Sequence, residues 1–251
     1  MAEGYKVPTE FIDLPSKGIP YPKDSALASG QIELKYLTAK EEDILTNINY
    51  IKAGTVLDKL FKSIIVSKIE YDELLLGDKD MIMIAARILG DGKDYTFEYT
   101  PEDSEGPIKI TKDLSTIESK PISDVLQAHQ MEYSFILPYC KLPVKFKLLT
   151  HRDEKLIDDE IRGIKKVQNE DHSVSIRLKH TIVEVNGNRD RGFIKDFVEN
   201  GLTVKDAKPL RAFISEITPG IKFTFDYTKQ NGEVVGGLSM PLTADFFWSQ
   251  A

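Results

Sequence analysis

The chain of 251 residues has one cysteine, Cys140, and one tryptophan. A lone thiol excludes an internal disulfide and any zinc site built on several cysteines. Set in "LPYCKLP", Cys140 is expected to be a half-buried apolar group. Long apolar runs are missing too: none approaches the ~20 residues that span a bilayer. The opening "MAEGYKVPTEF" lacks the basic-then-apolar pattern of a secretory signal, so the cytoplasm is the expected compartment. A basic surplus is also absent. Forty acidic groups face thirty-three basic ones, for a formal charge of −7. That balance opposes broad non-specific binding to nucleic acid, which needs a cationic surface. Only "RGIKK" and "NRDRGFIK" suggest a local basic patch.

Residues suited to catalysis are scarce. His129, His151, His172 and His180 form neither His-x-x-x-His nor His-Glu-x-x-His. His172 and His180 fall on a stretch read as one strand, which at ~3.3 Å per residue puts them about 26 Å apart, too far to share a metal. His151 is expected at the surface. Acidic clusters at Glu41–Asp43, Asp153–Glu154 and Asp158–Glu160 each share a helix with Lys or Arg. They are read as solvated faces rather than as acid–base pairs. "GDKD" and "DGKD" lack the twelve-residue spacing and closing Glu of an EF-hand. No phosphate-binding glycine loop and no Gly-x-Ser-x-Gly elbow occurs. No catalytic, metal-binding or cofactor-binding residue is therefore assigned, and no cofactor is expected.

What the sequence does contain is an echo. "IELKYLTAKEEDIL" (32–45) returns 112 residues later as "VKFKLLTHRDEKLI" (144–157), with Lys35/Lys147, Leu37/Leu149, Thr38/Thr150 and Glu42/Glu154 identical. "GKDYTFEY" (92–99) matches "GIKFTFDY" (220–227) at an offset of 128. The first echo alternates apolar and polar residues as a half-buried strand does. It then opens a helix through a capping box, Thr38 with Glu41 and, more weakly, Thr150 with Asp153.

Apolar residues at 56, 57, 60, 61, 64 and 65 predict another helix. "LLLGDKDMIMIAARILGDG" predicts a break at Gly77, a cap at Asp78 and a buried helix ending at Gly90. "DYTFEY" and "PIKIT" predict a hairpin. In the second copy "VSIRLKHTIVEVNGN" reads as a strand closed by an Asn-Gly turn. "RGFIKDFVEN" and "AKPLRAFISEI" read as helices, the latter capped near Asp206, and "IKFTFDY" with "VGGLSMPL" reads as a closing hairpin.

The expected fold is α+β. It comprises two internally duplicated units, 31–113 and 142–251, each a small, mostly antiparallel sheet with a hairpin and packed helices. A linker over 114–141, with helical potential to about residue 131, joins them. The growth in offset places sixteen extra residues in the second copy, near 167–190. Units of this size bury too little surface to be generously stable alone, so they are expected to pack on each other.

Both ends invite a binding role. Residues 1–30 are rich in Pro, Gly and Ser, yet Phe11, Ile12, Leu14, Ile19 and Tyr21 recur among them. A disordered tail would rarely carry so many apolar groups, so an extended arm lying on the body or on another subunit is expected. The C-terminal Phe246, Phe247 and Trp248 are either a strand tucked into the chain's own core or an aromatic anchor for a partner. The candidate contact residues are Phe11, Leu14, Tyr21, Phe246, Phe247 and Trp248.

"LPSKGIPYP", "GQIELKYLTAKEE", "LLLGDKDMIMIAARILGDGKDYTFEY" and "MPLTADFFW" together resemble the baseplate hub protein family of T-even-type contractile phages. The resemblance spans nearly the whole chain. It implies a non-enzymatic hub subunit or hub-assembly factor that binds other baseplate and tail proteins, in the host cytoplasm during assembly or in the virion baseplate. Many members of that family carry Cys-x-x-Cys pairs after the strand equivalent to "DYTFEY". This chain has "TPEDSEG" there, so no zinc ribbon carries over. The alternatives from the residues alone are a hydrolase or transferase with a dispersed site, or a nucleic-acid-binding adaptor.

Overall fold

The N-terminal segment is built into the body rather than laid along it as an arm. The computed structural model describes residues 6–104, 106–168, 172–241 and 246–247. Strand β1 (Thr9–Asp13) pairs antiparallel with β2 (Gln31–Lys35), Thr9 opposite Lys35. Between them residues 14–30 fold back into the core, where Leu14, Tyr21 and Leu27 are buried.

From β2 the chain enters α1 (Ala39–Leu45) through the expected capping box. Glu41 accepts from the Thr38 N–H at 3.0 Å, from the Thr38 hydroxyl at 2.6 Å and from Lys35 at 2.8 Å. Burial pushes the Glu41 carboxyl up, but the bonds from Lys35, Ser63 and Thr38 outweigh it and hold it at about 2. Helices α2 (Ile48–Ala53) and α3 (Val56–Ile64) follow, and α3 buries Leu60, Phe61 and Ile64.

Helix α4 (Leu76–Asp91) corrects two expectations. Gly77 does not break it and Asp78 does not cap it; both lie in its first turn. Glycine is required at 77 because Pro219 O lies 2.0 Å from where a Cβ would stand. At the other end Arg87 bonds Gly92 O at 2.8 Å and Asp94 O at 3.1 Å. It thereby staples the helix to β3 (Asp94–Tyr99), which forms the expected hairpin with β4 (Ile108–Asp113).

The stretch 114–141 is not a simple linker. Its helical potential yields only a 3-10 turn at Leu114–Thr116, Ser119 bridges to Ile221, and 132–136 is a strand. That strand, β5 (Glu132–Ile136), joins β6 (Pro143–Lys147) and β7 (Ile182–Val185) in an antiparallel sheet with β6 at its centre. Thr150 and Asp153 repeat the capping box at 3.1 and 3.2 Å, with Lys147 2.6 Å from Asp153, and open α5 (His151–Gln168).

Residues 173–185 are not one strand. They form α6 (Ser173–Thr181) and then β7. Val174, Ile176 and Leu178 alternate with polar residues as in a strand, yet the segment is helical, with Ile176, Leu178 and Thr181 buried. The Asn186–Gly187 turn forms as expected. Its φ angles are +48° and +82°, and Val185 and Asn188 exchange two bonds of 2.9 Å. Helix α7 (Arg191–Asp196) runs into a π turn ending at Gly201. Then come α8 (Val204–Ile217) and the hairpin β8 (Thr224–Thr228)–β9 (Val234–Ser239).

The β1–β2 and β5–β6 hairpins share a construction. Leu14 and Leu137, each followed by proline, close them through Leu14 N–H to Gly30 O at 2.8 Å and Leu137 N–H to Leu142 O at 2.9 Å. Two residues on, the Ser16 N–H donates to Asp78 at 2.9 Å in the first turn of α4, and the Tyr139 N–H donates to Asp206 at 2.7 Å in the first turn of α8. Both carboxylates are fully buried. Their separation of 128 residues is that of the second echo. The terminal hairpins face each other through matching residues: ring centroids lie 5.0 Å apart for Phe97–Phe225 and 5.5 Å for Tyr99–Tyr227. These edge-to-face pairs each add about 0.5–1.5 kcal/mol beyond burial.

One continuous core draws on both halves, from Leu34 and Phe61 to Phe146 and Ile217, and a smaller cluster fills the space between the terminal hairpins. The architecture is α+β.

Gly77→Ala is expected to lower stability by about 1–3 kcal/mol, because the backbone at 219–220 must retreat. Gly163→Ala, in α5 with nothing within 4 Å of its Cβ, is expected to raise it by roughly 0.5–1 kcal/mol. Urea unfolding measures both, and an unshifted midpoint for Gly77→Ala would remove the close-approach account.

Candidate binding surfaces and a buried ionic joint

Of the six residues expected to contact partners, only Phe11 is freely exposed among the described residues. It stands 68% exposed on the outer strand β1. Leu14 closes the first hairpin inside the core. Tyr21 donates its hydroxyl to Asp78 at 2.6 Å and accepts from the Leu75 N–H at 2.8 Å. Both are buried by their own chain and unavailable to a partner. Phe246 is also buried, its ring 5.0 Å from that of Tyr95, so the tucked-in reading holds for that residue. Phe247 is half-buried against Phe246 at 5.1 Å. Trp248 lies outside the described residues.

Other exposed apolar groups escaped the sequence reading. Ile136, Tyr139 and Val204 are each more than 60% exposed around the β5–β6 hairpin, and Lys205 Nζ sits 5.1 Å over the Tyr139 ring. The signal was the alternation in "EYSFI", hidden by treating 132–136 as linker. Among the described strands β1 pairs only with β2, and β5 only with β6. Each hairpin therefore offers an outer edge of unpaired backbone groups.

His151, expected at the surface, is 2% exposed. It lies where α5 meets the first half, with its N–H donating to Leu74 O at 2.7 Å. Its ring meets Tyr71 edge-on at 4.6 Å. Nε2 is 3.1 Å from Asp58 Oδ1, an ionic contact out of line for a hydrogen bond. Lys79 Nζ lies 3.1 Å from Nδ1 and 2.9 Å from Glu154, and Tyr71 donates to Asp58 at 3.1 Å. Neutral His151 accepts from Lys79 at Nδ1. Protonated, it faces Glu154, 3.8 Å away.

Burial works against the imidazolium, but Asp58 and Glu154 outweigh it and raise the His151 pKa above its ordinary value. Burial would lift the Asp58 carboxyl too, yet His151, Lys79 and Tyr71 hold it at about 2. His151 and Lys79 likewise hold Glu154 at about 2. Every charged member of this joint has an internal partner, and His151 itself is sealed from solvent. The acidic clusters are accordingly not all solvated faces: Glu41 and Asp153 are buried and Glu154 belongs to the joint. His180, on α6 rather than an extended strand, is 2.8 Å from Glu160.

The motifs that suggested a basic patch are partly committed. Arg162 pairs with Asp159 at 2.8 Å, and Arg189 with Glu132 at 2.5 Å and Glu184 at 2.9 Å. A different surface concentrates cations. Between α6, α8 and the end of β6 lies a half-open cavity of about 420 Å³, bordered by Lys120, Lys147, Arg177 and Arg211 and, among the described residues, by no carboxylate. No group of three or more potential metal ligands occurs among the described residues, and no helix among them is long and apolar enough to cross a membrane. Comparison with protein-family models, curated proteins and solved structures finds no match.

The ionic joint makes stability depend on pH in a defined direction. The His151 contribution is complete below about 6.5 and is lost as pH rises through its folded value. The Asp58 and Glu154 contributions are complete above about 4.5 and are lost as pH falls towards 2. Between pH 6 and 8.5 the urea midpoint of the wild-type chain is expected to fall, and that of His151→Gln to fall less. Parallel slopes would remove His151 as the titrating tie.

Proposed function

We propose that this protein is a non-enzymatic baseplate hub subunit or hub-assembly factor of a T-even-type contractile phage, acting through protein–protein contacts in the host cytoplasm or in the baseplate itself. The motifs resembling that family span nearly the whole chain and supply the biological assignment. The structural observation that carries the contact mechanism is the pair of open hairpin edges. β1 with exposed Phe11 and β5 with exposed Ile136 each end a sheet without a further strand among the described residues. An unpaired edge with an exposed apolar side chain takes up a partner strand, whose main chain supplies hydrogen bonds while side-chain contacts select the partner.

The titratable cluster of His151 with Asp58 and Glu154 is engaged in joining the two halves. This use favours a structural role over a dispersed active site. A doubled module belongs to the same reading, supported by the paired capping boxes and the matching Asp78 and Asp206 anchors.

Tagged chain recovered from infected cells is expected to bring other hub proteins with it. Phe11→Asp and Ile136→Asp, each on the surface of a folded chain, are expected to cut that recovery at least fivefold together. Undiminished recovery by a folded double variant would count against the edge mechanism. Wild-type chain that brings no hub protein would count against the assignment.

A further inference from the structure

The cavity between α6 and α8 is an unusual place on an acidic protein. The chain carries more carboxylates than cations, yet among the described residues four cations and no acid border this cavity. Lys147 is held by Asp153 at 2.6 Å. Lys120, Arg177 and Arg211 make no ion pair among the described residues, and both arginines are exposed. The floor is aliphatic: Leu76, Leu149, Val174, Leu178 and Ile214 line it, and Val174 is 51% exposed. Two exposed arginines with no ion pair among the described residues, beside an uncovered aliphatic floor, give the site apolar capacity and positive charge.

We infer that this cavity is the docking site for an acidic, amphipathic segment of a partner protein, with apolar side chains on the floor and several carboxylates on the rim. The inference rests on the assembly reading and names a second surface distinct from the hairpin edges. Three features select a peptide segment over other anionic ligands. The cations come from four separate stretches of chain: the segment at 119–120 that bridges to Ile221, β6, α6 and α8. They surround an open mouth, which suits carboxylates spaced along a chain better than a single head group. The volume is more than twice the roughly 150 Å³ that encloses a benzene-sized group, so it accepts two large apolar side chains. No aromatic among the described residues lines it, whereas single-stranded nucleic acid is held by stacking bases on aromatic rings. Arginine is also the cation best suited to gripping carboxylates, through its two-pronged geometry.

The test is selection of random dodecapeptides from a displayed library on the wild-type chain, followed by titration of the recovered peptides by fluorescence anisotropy. Selected peptides are expected to place Asp or Glu around Leu, Ile or Phe. They should bind Arg177→Glu/Arg211→Glu and Val174→Asp at least tenfold more weakly, while Val234→Asp, an exposed position in β9, binds them normally. Circular dichroism and thermal melts establish that each variant folds. Rising salt should weaken binding to the wild-type chain. Peptides without an acidic-apolar pattern, or peptides bound equally by the folded arginine variant, would overturn the inference. So would the finding that dodecyl phosphate or a single-stranded oligonucleotide occupies the cavity while no peptide does.

Recovery from infected cells separates the two readings. If the wild-type chain and the arginine variant bring down hub proteins equally, the docking site falls and the assembly role stands. If the wild-type chain brings down none but still selects acidic peptides, the assembly role falls and the docking site stands.

Discussion

Asp78 has no access to solvent, and the arrangement of the first half follows from meeting that buried carboxylate with donors. The Ser16 N–H and hydroxyl and the Tyr21 hydroxyl all donate to it, at 2.9, 2.7 and 2.6 Å. Burial still pushes its carboxyl up, because the donors only partly replace water. Removing them would leave a buried charge without partners, at a cost of several kcal/mol. The N-terminal chain cannot peel away without incurring that cost. Tyr21 passes the constraint to the Leu75 N–H, and Gly77, next in the helix, passes it to Pro219 by close approach. One buried charge thus ties together a hairpin, a helix start and the approach to β8. Asp206 does the same for the β5–β6 hairpin, accepting from the Tyr139 N–H at 2.7 Å and from the Thr203 hydroxyl at 3.0 Å, with Cys140 bonding it as well.

The charges inside this protein serve largely as joints. Glu41 and Asp153 hold strand-to-helix corners, His151 with Asp58, Lys79 and Glu154 holds one half against the other, and Arg87 holds α4 to β3. Each is surrounded by groups from more than one element, so each limits how neighbouring elements can move. The surface left over has two characters. Apolar side chains stand at open hairpin edges, and cations surround an aliphatic cavity. Both suit contact with other macromolecules, which is the work proposed for this protein.

Much of the local structure was legible in the chain. The Thr38–Glu41 and Thr150–Asp153 corners, the Asn186–Gly187 turn and both terminal hairpins are short-range devices whose partners lie within a few residues. The misreadings share one cause, which is that burial is a long-range property. "VSIRLKH" carries its apolar residues at a spacing that a strand and a helix can both use, and packing against α5 decided for the helix. His151 was assigned to the surface because the residues that cover it, Asp58, Tyr71 and Lys79, are 72 to 93 positions away. The prolines and glycines of 14–30 resemble a mobile arm until Asp78 is known to receive it. Of the candidate contact residues, Phe11 alone combined the expected chemistry with free exposure among those described.

The amino-acid order by itself determined the capped corners, the turns, most helices and the recurrence of one pattern along the chain, because hydrogen bonds between near neighbours and the hydrophobic period act over one or two turns of chain. Tertiary structure alone decided which acids are buried, which aromatics remain outside and where cations gather without carboxylates. Those outcomes depend on which distant segments exclude water from one another, a choice made only when the whole core closes.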